Sequence, residues 1–430
     1  MVARIKKAAA RAILDSRGFP TVEVELETQN GCGRASVPSG ASKSSFEALE
    51  LRDGGKKFFG YGVSKAVASV NGIIGPKLRQ TAFSGQTDFD EFLISLDGTK
   101  NKSKLGANAI LACSLAFSRC LACESGTPLY ASFSKVRRYC LPVPFFNVIN
   151  GGAHAGNSIA FQEYLIAPVG AKTFAEAAQY ASEIYHALRG LISRQFGRSA
   201  TNVGDEGGFA PPLSDVATPL ELVSRAIGEV GLQGKVSIAL DVAATSFFDG
   251  KKYAIGGGKR LGPGEYFDFV EGLAKTHRII SVEDPFCETD FAAFSKFTRE
   301  NKAIQVVGDD LLSTNPVRIA RGVQTGACNC LLLKPNQIGT LAEAVRAANL
   351  AYGAGWGVMV SHRSGETEDT FIADLAVGLG CGQIKLGACA RGERTAKINQ
   401  LIRIEGELGS NGKFAGREFH RPARRLGFSL

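Results

Sequence analysis

The chain of 430 residues has no stretch approaching the roughly 20 consecutive apolar residues of a membrane-spanning helix, so no membrane span is expected. It has no basic block either. Its 50 lysines and arginines outnumber 41 acids, giving a formal charge of +9 and an isoelectric point near 9.0, but the positive charges are scattered. A nucleic-acid partner is therefore not expected, and the balance suits a small anionic substrate. Ten cysteines lack zinc-site spacing: Cys120 and Cys123 form a CxxC and Cys328 and Cys330 a CxC, with no second pair at the required distance. The first two fall in an apolar, helix-like run from Ala109 to Cys123 and are expected to be buried free thiols, with a reducing cytosol as the default compartment. Gly256-Gly-Gly-Lys259 lacks Walker spacing and reads as a turn. Gly151-Gly-Ala-His154-Ala-Gly-Asn157 lacks the dinucleotide fingerprint and suits a hinged lid. No internal repeat or low-complexity tract is present.

What is present has a globular composition, 44% hydrophobic and 21% charged, and a length that suggests two domains, one of them barrel-sized. The basic, acid-free start (Met1 to Arg11) has the composition of an organelle presequence. It runs without a spacer into Asp15-Ser-Arg-Gly18, however, and is expected to be a first strand. Thr21-Val-Glu-Val-Glu-Leu-Glu27 alternates, with Val22, Val24 and Leu26 on one face, as a half-exposed antiparallel strand does. A helical pattern is predicted from about Phe46 to Cys123, interrupted at Gly54, Gly55, Gly60, Gly62 and Gly85. The expected organisation is a small α+β domain over residues 1–132, alternating strands and helices over 139–420, and a basic, mobile tail over 421–430.

Six apolar runs in the second half each end in a residue fit for catalysis. They are Ser237–Asp241, Ile280–Glu283, Gln305–Asp309, Leu331–Lys334, Val358–His362 and Gln383–Lys385. Successive ends are 42, 26, 25, 28 and 23 residues apart, close to one strand plus one returning helix. Such runs read as parallel strands buried on both faces, and in a closed barrel their carboxyl ends share one mouth, where active sites of that fold lie. Asp241, Glu283 and Asp309 would then repel one another unless a cation neutralised them. Oxygen donors without cysteine or a histidine pair favour Mg2+. Lys334 and Lys385 flank His362 and are candidates for a general base whose ammonium form is disfavoured. Glu163 precedes these runs. Glu206, between a polar run and two glycines, is expected to have its pKa raised by nearby negative charge and to donate a proton. Arg363 and Ser364 make a phosphate clamp directly after a strand. Pro38-Ser-Gly-Ala-Ser42 offers a second hinge, which puts a lid near residues 38–46.

With these residues in place, the chain resembles the enolases, glycolytic hydro-lyases that convert 2-phosphoglycerate to phosphoenolpyruvate. The matching motifs are Asp15-Ser-Arg-Gly, Val37-Pro-Ser-Gly-Ala-Ser42, Leu105-Gly-Ala-Asn-Ala-Ile110, Asn150-Gly-Gly-Ala-His-Ala-Gly156, Gly204-Asp-Glu-Gly-Gly208, Glu283-Asp-Pro285, Gly308-Asp-Asp310, Asn336-Gln-Ile-Gly339 after Lys334, Ser361-His-Arg-Ser-Gly-Glu-Thr-Glu-Asp369, and Gly387-Ala with Ala390-Arg. They fall in family order from about residue 5 to 420. The resemblance implies an α+β N-terminal domain followed by a modified (β/α)8 TIM-like barrel whose second strand is antiparallel. It also implies a cytoplasmic homodimer with two Mg2+ per active site. In that scheme Asp241, Glu283 and Asp309 hold the first ion, and Ser39 on the lid helps hold the second. Lys334 removes the C2 proton, and Glu206, assisted by Glu163, protonates the departing C3 hydroxyl. Lys385 binds the substrate carboxylate, Arg363 and Ser364 bind the phosphate, and His154, Gln162 and His362 complete the pocket.

The chain departs from the family pattern at Lys43, Ser44 and Phe46 in the lid, at Ser246 after the Asp241 strand, and at Leu386 beside Lys385. An added cation at Lys43 is expected to slow lid opening. The alternative functional class is a catalytically altered paralogue that acts mainly as a binding protein.

Overall fold

The computed structural model describes residues 2–41, 44–134 and 136–420. Met1, the lid residues Ser42 and Lys43, and the tail 421–430 lie outside the described residues, and with them the expectations for lid opening and tail mobility. Strands Lys7–Leu14, Pro20–Glu27 and Cys32–Ser36 form an antiparallel meander, so the basic start is strand. The alternation holds: Val22, Val24 and Leu26 are fully buried against the helix Ala107–Ser125. On the outer face Lys7 and Arg11 pair with Glu23, Glu25 and Glu27, exposed contacts that water and salt screen. Gly33 sets how closely helix and sheet approach, because a Cβ there would stand 2.1 Å from the Ala116 carbonyl oxygen.

That helix, 19 residues long, is apolar enough to cross a membrane by length and composition, which the sequence was not expected to contain. Its most apolar window is 78% buried inside the protein, as in the core helix of a globular domain. Cys120 is a buried thiol as expected. Cys123 is exposed, since the helix emerges from the core after Ala122.

The helical stretch expected from Phe46 begins only at Ser64. Before it the backbone bonds to distant segments: Ala48 N–H to Gln337 O, and Leu49 N–H to Asn101 O, both 2.7 Å. Gly54, Gly55 and Gly60 take positive φ, and a helix cannot continue through them.

The rest of the chain builds a closed eight-stranded barrel: β1 (Val143–Asn150), β2 (Glu163–Ala167), β3 (Ser237–Asp241), β4 (Ser281–Glu283), β5 (Gln305–Gly308), β6 (Cys330–Leu333), β7 (Gly357–Ser361) and β8 (Gln383–Gly387). β2 runs antiparallel to both its neighbours and every other pairing is parallel. The six catalytic-ended runs are β3 to β8. Every residue of β4, β5, β6, β7 and β8 is buried, the consequence of side chains inside and helices outside. A polar layer closes the barrel floor. Gln305 donates to Gln383 Oε1 (2.9 Å) and Ser281 Oγ (3.1 Å), and Gln383 donates back to Gln305 Oε1 (3.0 Å). Two residues further along β4 and β8 stand Glu283 and Lys385, in the next layer towards the mouth.

Candidate active site

The site grows out of strand register. Glu163 pairs with Asp241, and Asp241 with Glu283, across β2, β3 and β4, so three carboxylates project side by side from one face of the sheet. Because β2 runs backwards, its first residue is the one at the mouth. This is why Glu163, which stands at no strand end of the expected parallel series, joins the row. Asp309, Lys334 and His362 follow directly on β5, β6 and β7, and Lys385 lies in β8 opposite Ser361. The Lys385 ammonium reaches Asp241 at 2.8 Å, both oxygens of Glu283 at 2.9 Å and Glu163 at 3.1 Å. Lys334 pairs with Asp309 at 2.5 Å, whose other oxygen accepts from Gln337 at 2.9 Å. Gln162 donates to Asp241 at 3.1 Å.

Nine expected residues line one small cavity at the mouth: His154, Gln162, Glu163, Glu206, Lys334, His362, Arg363, Ser364 and Lys385. Gln162 Oε1, Glu163 Oε2 and His154 Nε2 are buried there with no hydrogen-bond partner among the described residues. Buried polar atoms left unpaired are costly, and three on one cavity mark where a polar ligand would be received.

The electrostatics divide the groups. Burial works against the Lys385 ammonium, but Asp241, Glu163, Glu283 and Glu206 outweigh it and hold its pKa well above the usual lysine value. Lys334 is likewise raised, burial being overcome by Asp309. With Asp309 as its partner, the Lys334 ammonium is favoured. The acid pair divides as well. Burial and then the neighbouring Glu206 push Glu163 well above the carboxylate range. For Glu206, burial is overcome by His154, His362, Lys385 and Arg394, which hold it well below that range. The two carboxyls are thus pushed in opposite directions. Glu206 itself is bounded by Asn147, which donates to it at 3.0 Å, His154 at 3.4 Å and His362 at 3.7 Å. Burial pushes both histidines down, His362 well below its usual value.

Arg363 and Ser364 sit where a phosphate clamp was expected. Arg363 forks onto Glu47, 3.1 Å to each carboxylate oxygen, and Ser364 Oγ accepts from Ala41 N–H at 2.6 Å. Ser39 stands apart from the carboxylate row. Its backbone bridges to Gly365, and its hydroxyl donates to Glu50 at 3.0 Å and accepts from Arg52 at 2.9 Å. Beyond Lys43, Ser44 Oγ accepts from Ser313 Oγ at 2.8 Å and Phe46 lies 3.6 Å under the Arg318 guanidinium. These two departures tie the segment to the barrel.

Asp241, Glu283 and Asp309 offer only oxygen, and two ammonium groups already occupy their surroundings, so the place is one a cation prefers. That chemistry fits a hard divalent ion such as Mg2+. The tightest groupings of ligand atoms are different ones, His154 with Glu163 and Glu206, and Asp284 with Asp309 and Asp310, each within 4.8 Å. Asp284 has a bracing role, since it accepts the N–H groups of Asp309 (3.0 Å) and Asp310 (2.5 Å). The expected trio is more open, with the Lys385 ammonium between Asp241 and Glu283.

Asn147, Gln337, Glu47 and Arg394 were not anticipated as contacts of the site. Gln337 lies inside a quoted motif and could have been found there. Asn147, in the run Phe145-Phe-Asn-Val-Ile149, could have been suspected as a lone polar side chain in a buried strand.

Comparison with known proteins follows the same boundaries as the geometry. Residues 5–133 match the family described as "Enolase, N-terminal domain", and residues 138–423 the one described as "Enolase, C-terminal TIM barrel domain". The chain is 53% identical over 423 residues to the enolase of Thermococcus gammatolerans, which covers 97% of this chain and 98% of that protein. It is 52% identical over 423 residues to the enolase of Thermococcus kodakarensis, with the same coverage. To the enolase of Pyrococcus furiosus it is 53% identical over 417 residues, 96% of this chain and 97% of that one.

Proposed function

The chain belongs to the enolase family and is a lyase, a phosphopyruvate hydratase, and we propose that it interconverts 2-phosphoglycerate and phosphoenolpyruvate at the cavity where β2 to β8 meet. The observation that carries this is the convergence of nine expected residues on that cavity, with Lys385 set into the row of carboxylates. The proposed organisation is an α+β domain over residues 1–132 and a catalytic barrel over 139–420, in a cytoplasmic homodimer. All ten cysteines are free, which suits a reducing compartment.

The chemical difficulty is at C2. That hydrogen stands beside an ionised carboxylate, so its removal creates a dianion. Stabilisation must be aimed where the charge develops. Lys385 carries a secured positive charge for the substrate carboxylate. Two Mg2+ ions, the first at Asp241, Glu283 and Asp309 and the second towards Ser39 and the phosphate, would supply Lewis-acid charge to that same carboxylate. A lysine base with divalent ions stabilising an ene-diolate is the known pattern of the enolase superfamily. Lys334 acts as the C2 base. Asp309 now holds its proton, and any interaction that draws off the Asp309 charge lowers the Lys334 pKa towards a useful value. Glu206, assisted by Glu163, delivers a proton to the departing C3 hydroxyl. Arg363 exchanges Glu47 for the substrate phosphate, a dianion with the same forked geometry, and Ser364 adds a hydroxyl. His154, Gln162 and His362 place polar atoms around the bound molecule.

The test is the ultraviolet absorbance of the conjugated double bond formed from 2-phosphoglycerate. Chelation should stop its rise and added Mg2+ should restore it. No absorbance under any metal supply would contradict the proposal and favour the binding-protein alternative.

A further inference from the structure

The helix Gly392–Leu408 begins directly behind the mouth and sends two buried cations into it, one turn apart. The side chains of Arg394 and Lys397 are 0% and 1% exposed. Lys397 binds the loop after β7 through Thr367 O (2.6 Å) and Glu366 (2.8 Å). Arg394 does more. Its guanidinium donates to the carbonyls of Arg363 (2.6 Å) and Ser364 (2.7 Å) on that loop, and to that of Asp205 (3.0 Å) beside Glu206. One further N–H meets His362 Nδ1 at 2.5 Å. Gly387 makes room for this approach. A Cβ there would stand 2.9 Å from Arg394 Cδ and 3.1 Å from His362 Cε1.

A guanidinium has donors and no acceptor. The Nδ1 atom it touches must therefore present a lone pair, which leaves the ring proton of the neutral imidazole on Nε2. That nitrogen faces Glu206 Oε2 at 3.7 Å. We propose that Arg394 is a positioning residue of the active site: its contacts fix the Nε2–H tautomer of His362, aim that N–H at Glu206, and tie the loop bearing Glu206 to the loop bearing Arg363 and Ser364. The inference rests on the roles proposed above for Glu206 and His362. Arg394 touches no reacting atom and acts through His362 and three carbonyls. Without it, the proton is free to move to Nδ1, and a lone pair on Nε2 would face the Glu206 carboxylate as Glu206 gives up its proton.

The test uses the full-length protein labelled with 15N-histidine. Five histidines give few signals, and that of His362 is identified by its loss in His362→Gln. The resting wild type should show Nδ1 unprotonated and Nε2 protonated. Arg394→Met should shift the proton to Nδ1 or mix the tautomers, with kcat falling by about ten- to a hundredfold and KM changing less. Arg394→Lys, which keeps one donor, should recover part of both. A wild-type His362 protonated on Nδ1 would overturn the inference, and so would a folded Arg394→Met protein with unchanged tautomer and kcat. If Arg394→Met does not fold, the wild-type spectrum and Arg394→Lys decide. Wild-type kcat in His362→Gln would instead overturn the site roles on which the inference rests, whatever the spectrum shows.

Discussion

Two glutamates pushed in opposite directions are proposed to carry the acid–base division. Glu163 and Glu206 both border the His154 ring, yet against burial His154, His362, Lys385 and Arg394 favour the Glu206 anion, while burial and that anion push Glu163 up. Where environments push two carboxyl pKa values apart, a division of acid and base labour follows. Glu163→Gln removes the ionisable group beside Glu206 and should lower kcat for dehydration by about 10²-fold or more, with a smaller change in KM; a variant turning over at the wild-type rate would contradict this. At this scale the sequence showed which residues meet at the mouth better than it showed how their pKa values shift. Asp241, Glu283, Asp309, Lys334 and Lys385 could be picked out because each ends an apolar run. The direction of the Glu206 and Lys334 shifts could not, because it depends on partners more than 20 residues away, such as His362 and Asp309. Arg394 was hidden for a similar reason. A cation in a helix rich in charge looks like a solvated residue until the helix is packed against the mouth.

Among elements, the barrel strands were the most legible, since burial on both faces leaves an unbroken apolar signature. The stretch from Phe46 to Gly62 was the least legible, because its helical-looking composition is overruled by glycines in positive φ and by backbone bonds to Gln337 and Asn101. The helix Leu341–Gly353 shows a tie that no local pattern announces. Its first N–H groups are capped from the N-terminal region: Leu341 N–H by Ser114 Oγ at 3.0 Å, and Ala342 N–H by Asp90 at 2.8 Å. Burial raises Asp90 to about 7. A carboxyl raised on folding binds its proton more tightly in the folded state. Its stabilising effect is full below the unfolded value of 3.8 and is lost as pH rises through about 7. The loss is on the order of 4 kcal/mol at most, moderated by the N–H groups that the anion still accepts. Thermal unfolding should therefore show the wild type losing more stability between about pH 5 and pH 8 than Asp90→Asn does. Parallel pH profiles for the two proteins would contradict this.

In the whole molecule the N-terminal region and the barrel are joined by polar ties. Arg119 forks onto Asp369 at 2.6 and 2.7 Å, and the same carboxylate accepts Ser36 N–H at 2.9 Å. Ser16 accepts from Glu366 N–H at 3.1 Å and its carbonyl accepts from Arg391 at 3.0 Å. The motif Asp15-Ser-Arg-Gly was recognisable in sequence, but its purpose was not, since it braces the loop after β7 from some 350 residues away. The whole assembly serves one claim, that Lys334 takes the C2 proton while Glu206 serves the C3 hydroxyl. The most direct measurement is exchange of the C2 hydrogen of 2-phosphoglycerate with deuterated solvent, followed by NMR in Glu206→Gln and Lys334→Ala. The account predicts that Glu206→Gln keeps exchanging C2 hydrogen while forming little phosphoenolpyruvate, and that Lys334→Ala loses both. Continued C2 exchange by Lys334→Ala at the wild-type rate would contradict it.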